Sequence, residues 1–338
     1  MMNRLWRCIA WLVLAAWLPG LSAEPSLKAE QDRYRIFMIL WRGETEVEAG
    51  FRAYVKENQL PFDLIVRNVA GDRRQIPAMV EEAKHTEPDL VYTWGTSVTL
   101  NVVGEYDKAN PDQHVTALPV LFTMVSDPLG SRIVPELVSS ERNVTGTTHI
   151  APLEAQVNAI RAYRPLNRLA VLYNPAELNS RLFVRRLKIL AKQMDFELLD
   201  QPVPLDEQGD PMADNLADLI AGLALREPQF LYMGPDTFIS IHRHLVTREA
   251  IKQRLPVFTA TERPIRDGDA LFGLVTPYFA LGRFTAFKAE QILLYNKAPE
   301  TISVETLNRF NYVVKMPVAR ELGIFPPMTI LNYAEVIE

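Results

Sequence analysis

Short apolar runs recur along the chain, and each is followed by a stretch whose apolar positions fall at helical spacing. The first run is Tyr34–Leu40 (YRIFMIL), followed by a helical pattern over Glu44–Asn58. Phe62–Val66, Asp89–Thr93 and Leu118–Phe122 are three more, trailed by helical patterns over Arg73–His85, Ser97–Ala109 and Leu129–Val138. Strands of about five residues alternating with helices of about a dozen read as β-α-β units on a parallel sheet. Such crossovers are right-handed, which predicts a doubly wound α/β layer.

The alternation restarts beyond Val144–Ala151. Leu169–Tyr173, Phe196–Leu199, Phe230–Met233 and Pro256–Thr259 read as strands. Pro152–Tyr163, Ser180–Met194, Asp214–Leu225 and Phe238–Gln253 read as helices. A strand at Leu271–Val275 and a long helix over Phe279–Tyr295 follow, and Ile302–Glu338 reads as crossing strands with a short helix. The prediction is an α/β protein of two doubly wound parallel-sheet lobes, 33–147 and 148–275, with a crossover and C-terminal segment over 299–338. Two lobes joined by more than one crossover make a hinged molecule with an interlobe cleft.

A length of 338 residues suits two domains better than one. The first 23 residues stand apart from the rest. Arg4 and Arg7 precede an almost wholly apolar run from Cys8 to Leu18, and Pro19, Gly20 and Ser22–Ala23 follow. This is the order of a secretory signal peptide, and the run is too short to span a bilayer as a helix. Cleavage is expected after Ala23, placing the mature chain in the periplasm. The single Cys, Cys8, leaves with the signal, so the mature chain needs no disulfide. The remaining 34 basic residues face 41 acidic ones, a net charge of −7, which argues against a nucleic-acid partner. Of five Trp, only Trp41 and Trp94 remain.

In open α/β sheets ligands bind beyond the carboxyl ends of the strands. Those ends carry Trp41-Arg42-Gly43, Trp94-Gly95-Thr96-Ser97 and Thr123-Met124-Val125-Ser126-Asp127 in the first lobe. In the second they carry Asn174-Pro175-Ala176-Glu177 with Asn179-Ser180, Gly234-Pro235-Asp236-Thr237 and Ala260-Thr261-Glu262. Gly95-Thr96-Ser97 opens a helix, where free N–H groups and the helix dipole favour an anion such as a carboxylate. Asp236 and Asp127 are candidates for an ammonium group, and Trp41 and Trp94 for sandwiching an aromatic, apolar or cationic moiety. Thr96, Ser97 and Thr237 equally suit helix caps, and Asp127-Pro128 suits a plain cap with Pro at the first helical position.

Enzyme signatures are absent: there is no G-x-S-x-G elbow, P-loop or G-x-G-x-x-G. His242 and His244 are the closest His pair, and two residues apart on a helix they point to different faces. No catalytic residue, metal site or cofactor is expected.

Leu118–Thr148 (LPVLFTMVSDPLGSRIVPELVSSERNVTGTT) resembles the signature of the tryptophan/tyrosine-binding type of ABC transporter substrate-binding proteins. So do Tyr173–Ser180 (YNPAELNS), Leu271–Ala286 (LFGLVTPYFALGRFTA) and Ala319–Glu338 (ARELGIFPPMTILNYAEVIE). The resemblance implies the type I periplasmic binding fold, with three crossovers, part of 276–298 returning to the first lobe, and the ligand in the cleft. It implies ligand contacts from Trp41, Trp94, Gly95, Thr96, Ser97, Thr123, Ser126, Asp127, Asn174, Glu177, Ser180, Pro235, Asp236, Thr237 and Tyr278. The chain departs from the family at Pro277, at Pro235-Asp236-Thr237 and at the Trp41-Arg42 pair. The expected function is capture of a small amphipathic ligand, an aromatic or apolar amino acid or similar molecule, by a monomer that delivers it to an ABC permease. The alternative is the same cleft serving as a sensing module for a membrane receptor.

Overall fold

The computed structural model describes residues 33–338, and the predicted signal peptide lies outside the described residues. The first sheet is built from β1 (Tyr34–Leu40), α1 (Glu46–Glu57), β2 (Phe62–Asn68), α2 (Ile76–Thr86), β3 (Leu90–Trp94), α3 (Gly95–Val103), β4 (Val120–Val125) and β5 (Val144–Thr148). Its five parallel strands stand in the order β2-β1-β3-β4-β5. Helices cover both faces, so a central strand is apolar at successive positions rather than alternating. In β1 the residues Ile36 to Leu40 are all buried. Ile36, Met38 and Leu40 face one core with Val47 and Phe51 of α1, while Phe37 and Ile39 face another with Val80 of α2 and Val98 of α3.

The second lobe comprises α4 (Leu153–Tyr163), β6 (Arg168–Tyr173), α5 (Leu178–Gln193), β7 (Glu197–Pro202), α6 (Leu216–Ala224), β8 (Phe230–Met233), α7 (Thr237–Ile241), α8 (Arg243–Lys252), β9 (Val257–Thr259), α9 (Arg263–Arg266) and β10 (Phe272–Val275). The chain then runs through α10 (Tyr278–Leu293), β11 (Asn311–Lys315), α11 (Met316–Leu322), α12 (Met328–Leu331) and β12 (Ala334–Ile337). Seven strands form the second sheet in the order β12-β11-β10-β9-β8-β6-β7. The β10–β11 pair is antiparallel, and the other pairs are parallel.

Three crossings join the lobes. The first runs from β5 into α4. The second runs from β10 into α10, which packs on α1 and beneath β4 and β5. The third leaves the edge of β5, where Glu305 bridges Thr147, and enters β11. Two glycines set the α1–α10 approach. A Cβ on Gly282 would lie 1.8 Å from the Val47 carbonyl oxygen, and one on Gly50 would lie 2.0 Å from that of Phe279.

Several local expectations are corrected. The stretch Leu129–Val138 is a chain of turns, not a helix. Gly130 donates its N–H to Asp127 Oδ1 at 2.9 Å, Arg132 has φ +58°, and Pro135 offers no N–H to a helical ladder. The helix expected to Ala109 stops at Val103, because Gly104 turns out of it at φ +67°. The helix expected over Phe238–Gln253 breaks at His242 into α7 and α8. Val144–Thr148, read as a joint, is β5. Its threonines satisfy a sheet edge: Thr145 Oγ1 donates to the Ile302 carbonyl at 2.6 Å, and Thr147 Oγ1 bonds Thr123 and Thr285 at 3.1 and 2.8 Å.

Candidate functional site

The carboxyl ends of β1, β3 and β4 face those of β8 and β9 across one cleft. It encloses about 550 Å³, counting the part open to solvent. From the first lobe it is lined by Trp41, Arg42, Trp94, Gly95, Thr96, Ser97, Val98, Met124 and Ser126. His149 comes from the first crossing and Tyr278 from the second. The second lobe supplies Asn179, Pro235, Asp236, Thr237, Ser240 and Thr261.

Local structure explains these placements. Gly95 starts α3 at φ +82°, a conformation that disfavours any residue with a Cβ. Trp94, the residue before it, offers no side-chain cap, so the first N–H groups of α3 are open to the cleft. At the end of β4 the pairing with β5 slips between Phe122 and Val125, and Met124 takes φ +56°. This bulge turns Met124 to the cleft and leaves Thr123 inside, bonded to Thr147.

Ten of the fifteen residues expected from the sequence line the cleft: Trp41, Trp94, Gly95, Thr96, Ser97, Ser126, Pro235, Asp236, Thr237 and Tyr278. Thr123 does not. Asn174, Glu177 and Ser180 sit behind Asp236 rather than on the lining. Asp236 Oδ2 accepts the Asn174 N–H and the Ser180 hydroxyl, both at 2.7 Å, and Oδ1 accepts the Ile239 N–H at 2.8 Å, capping α7. Glu177 Oε2 accepts the Thr237 N–H at 2.8 Å and lies 3.2 Å from the Ser180 oxygen. Asp127 lies outside this lining and pairs with Arg186 of α5 at 3.3 Å. That pair borders a neighbouring cavity, which shares Ser126, Asn179 and Pro235 with the cleft. The ligand contacts expected from the sequence left out Arg42, Val98, Met124, His149, Asn179, Ser240 and Thr261, although Arg42, Met124, Asn179 and Thr261 stand in the strand-end stretches named there. His149 follows β5, a strand whose VTGTT sequence carries no apolar run to mark its end.

Polar atoms without partners concentrate here. Among the described residues, Trp41 Nε1, Arg42 Nε, Trp94 Nε1, His149 Nδ1 and Thr261 Oγ1 are buried with no hydrogen-bond partner, and all five residues line the cleft. Buried polar groups are normally satisfied, so such a cluster calls for an explanation. The Arg42 guanidinium lies 4.7 Å from the centre of the Trp94 ring, a cation–π distance. Burial lowers the Arg42 pKa to about 10, still fully charged at neutral pH. Burial, helped by the Arg42 charge, lowers that of His149 to about 3, so its ring is neutral. No group of three or more His, Cys, Asp or Glu among the described residues is placed to hold a metal, and none of their helices is long and apolar enough to cross a membrane.

The Glu177–Asp236 pair carries a pH signature. Burial, with the neighbouring Asp236 charge, raises the Glu177 pKa from the ordinary 4.5 to about 7, and burial raises that of Asp236. A carboxyl whose pKa rises on folding contributes stability that is present below its unfolded value and lost as pH climbs through the folded one. Unfolding midpoints are therefore expected to lose this contribution between about pH 4.5 and 7. Glu177→Gln should flatten that part of the profile. Superimposable profiles for the variant and the parent would contradict the assignment.

A family model described as "ABC transporter substrate binding protein" matches residues 48–337. A curated tyrosine-binding protein of Clostridioides difficile (strain R20291) is 23% identical over 211 residues, 61% of this chain and 57% of that one, so the match spans little more than half of that relative. A crystal structure from Streptococcus pneumoniae, an ABC domain in complex with L-Trp, superposes with a TM-score of 0.77 at 21% identity, covering 90% of this chain and all of that one. The ligand-free, open structure of a substrate binding protein with adhesive properties from Clostridium difficile gives 0.67 at 20% identity, covering 90% and 99%. These likenesses agree with the two-lobed parallel-sheet architecture of type I periplasmic binding proteins. With most of its length matched by that one model, this chain belongs to the ABC transporter substrate-binding protein family, whose members are binding proteins and not enzymes.

Proposed function

We propose that this protein captures a small amphipathic ligand, an aromatic or apolar amino acid or similar organic molecule, in the interlobe cleft and hands it to the permease of an ABC importer. The carrying observation is the set of five unpartnered buried polar groups from both lobes and the first crossing, converging on one cleft walled by Trp41, Trp94 and Tyr278. A molecule with an apolar body and a polar head satisfies such a wall and such groups together. The tyrosine-binding relative and the L-Trp complex support a ligand of that size. The protein acts as a monomer in the periplasm, reached through cleavage near Ala23.

Capture works by hinge closure. A ligand that touches both lobes favours the closed arrangement by its differential affinity for it. The Asp127–Arg186 pair, at 3.3 Å, and the contact of α3 with α5 already span the lobes. The test is thermal unfolding and solution scattering of the secreted protein against the L-amino acids and the deaminated forms of the aromatic ones. A bound compound at a hundred times its Kd adds about 2.7 kcal/mol of stability. At least one is expected to raise the melting temperature and shrink the radius of gyration. A panel that moves neither quantity overturns the proposal.

A further inference from the structure

The charged groups around the cleft are unbalanced. Arg42 has no ion-pair partner among the described residues, and its Nε no hydrogen-bond partner. Tyr278 and Glu48 lie near enough to favour its charge, and Arg263 and Arg243 to oppose it; the two arginines share one carboxylate, Asp267, at 3.4 and 3.7 Å.

The carboxylates, by contrast, are engaged. An ionised carboxylate has about four acceptor positions. At Asp236, the lining carboxylate, three of them receive Asn174, Ser180 and Ile239. Glu177 Oε2 accepts the Thr237 N–H at 2.8 Å, with the Asn179 amide 3.5 Å away. Glu262 accepts from Arg266 at 3.1 Å and from the Tyr278 N–H at 2.8 Å. The open groups on the Arg42 side of the cleft include donors: the indole N–H of Trp94, whose residue is only 6% exposed, that of Trp41, and the uncapped start of α3. The remaining unpartnered atoms, His149 Nδ1 and Thr261 Oγ1, are neutral.

A carboxylate placed here meets a cation and several N–H groups, which compensates its desolvation. An ammonium finds no free carboxylate, and a charge buried without a partner is costly. We propose that the cleft selects a monocarboxylate with an aromatic or apolar body and no ammonium group, its head held by Arg42 and the start of α3. This rests on the cleft being the ligand site. It also gives Asp236 a structural role, tying β6 and α5 to α7, in place of the ammonium contact expected from the sequence.

The test is calorimetry on protein stripped of ligand by unfolding and refolding, using three matched pairs. These are indole-3-propionate with L-tryptophan, 3-phenylpropionate with L-phenylalanine, and 3-(4-hydroxyphenyl)propionate with L-tyrosine. In each pair that binds, the deaminated acid is expected to bind roughly tenfold tighter or more. Arg42→Gln is expected to weaken that acid by roughly tenfold or more while keeping the circular dichroism spectrum and cooperative melting of the parent. An amino acid that binds as well as or better than its acid overturns the proposal, as does unchanged acid affinity in a folded Arg42→Gln. Failure of all six compounds to bind also overturns it, and mass spectrometry of protein from its native source then separates the two readings. A co-purifying small molecule keeps the cleft reading, and none found overturns that as well.

Discussion

Gly282→Ala is expected to destabilise the protein by roughly 3 kcal/mol or more, a large part of the 5–15 kcal/mol that holds a typical domain together. The added carbon would stand 1.8 Å from the Val47 carbonyl oxygen and 2.9 Å from the Phe51 nitrogen. Both obstacles are backbone, so no rotamer relieves the clash and the helices must separate. Gly50, on the facing helix, meets the Phe279 carbonyl in the same way, so α1 and α10 touch backbone to backbone. The consequence reaches function, because α10 is the segment by which the chain returns to the first lobe and its first residue, Tyr278, lines the cleft. Gly222→Ala in α6 is the counterpart: nothing lies within 4 Å of the new carbon, and Ala exceeds Gly in helix propensity by up to about 1 kcal/mol. Urea unfolding should show the two substitutions moving the midpoint in opposite directions. An unchanged midpoint for Gly282→Ala would contradict the packing described.

Trp94→Ala is expected to cost 1–3 kcal/mol of ligand affinity, roughly tenfold to more than a hundredfold. The ring packs with Met124 and Tyr278 in the core below the cleft, carries Arg42 on its face, and directs an unpartnered N–H at the site. Trp94→Phe keeps much of the packing and removes only the donor, so it should fall between the parent and the alanine variant. In a Trp41→Phe chain that begins at Glu24, Trp94 is the only Trp, and its fluorescence should shift on saturation. Parental affinity in Trp94→Ala would remove it from the site.

How far the sequence disclosed this arrangement follows from what each signal depends on. A central parallel strand such as β1 is legible because it must be apolar on both faces. The Trp-bearing tips were legible as strand ends because the apolar runs of β1 and β3 stop at them. In contrast, β5 (VTGTT) was concealed: the hydroxyls of Thr145 and Thr147 bond Ile302, Thr123 and Thr285, none of them a sequence neighbour, and Gly146 is pressed against Phe122. Thr123 reads as a tip residue because the apolar run ends at Phe122, whereas the strand continues to Val125 through a bulge that local sequence does not announce. The role of Arg42 depends on which carboxylates elsewhere are already occupied. Glu48 is taken by Thr45 and Tyr92, Asp236 by Asn174 and Ser180, and Glu262 by Arg266. Such occupancy is set by tertiary contacts that residue spacing does not reveal.

The central claim is that the cleft between the lobes holds one small molecule. Native mass spectrometry of the protein taken from its native source tests it most directly. The expected result is a mass increment for one small organic molecule per chain, retained by the parent and lost together in Trp94→Ala and Arg42→Gln. A chain that carries no increment, or an increment that both variants retain in full, would contradict the account.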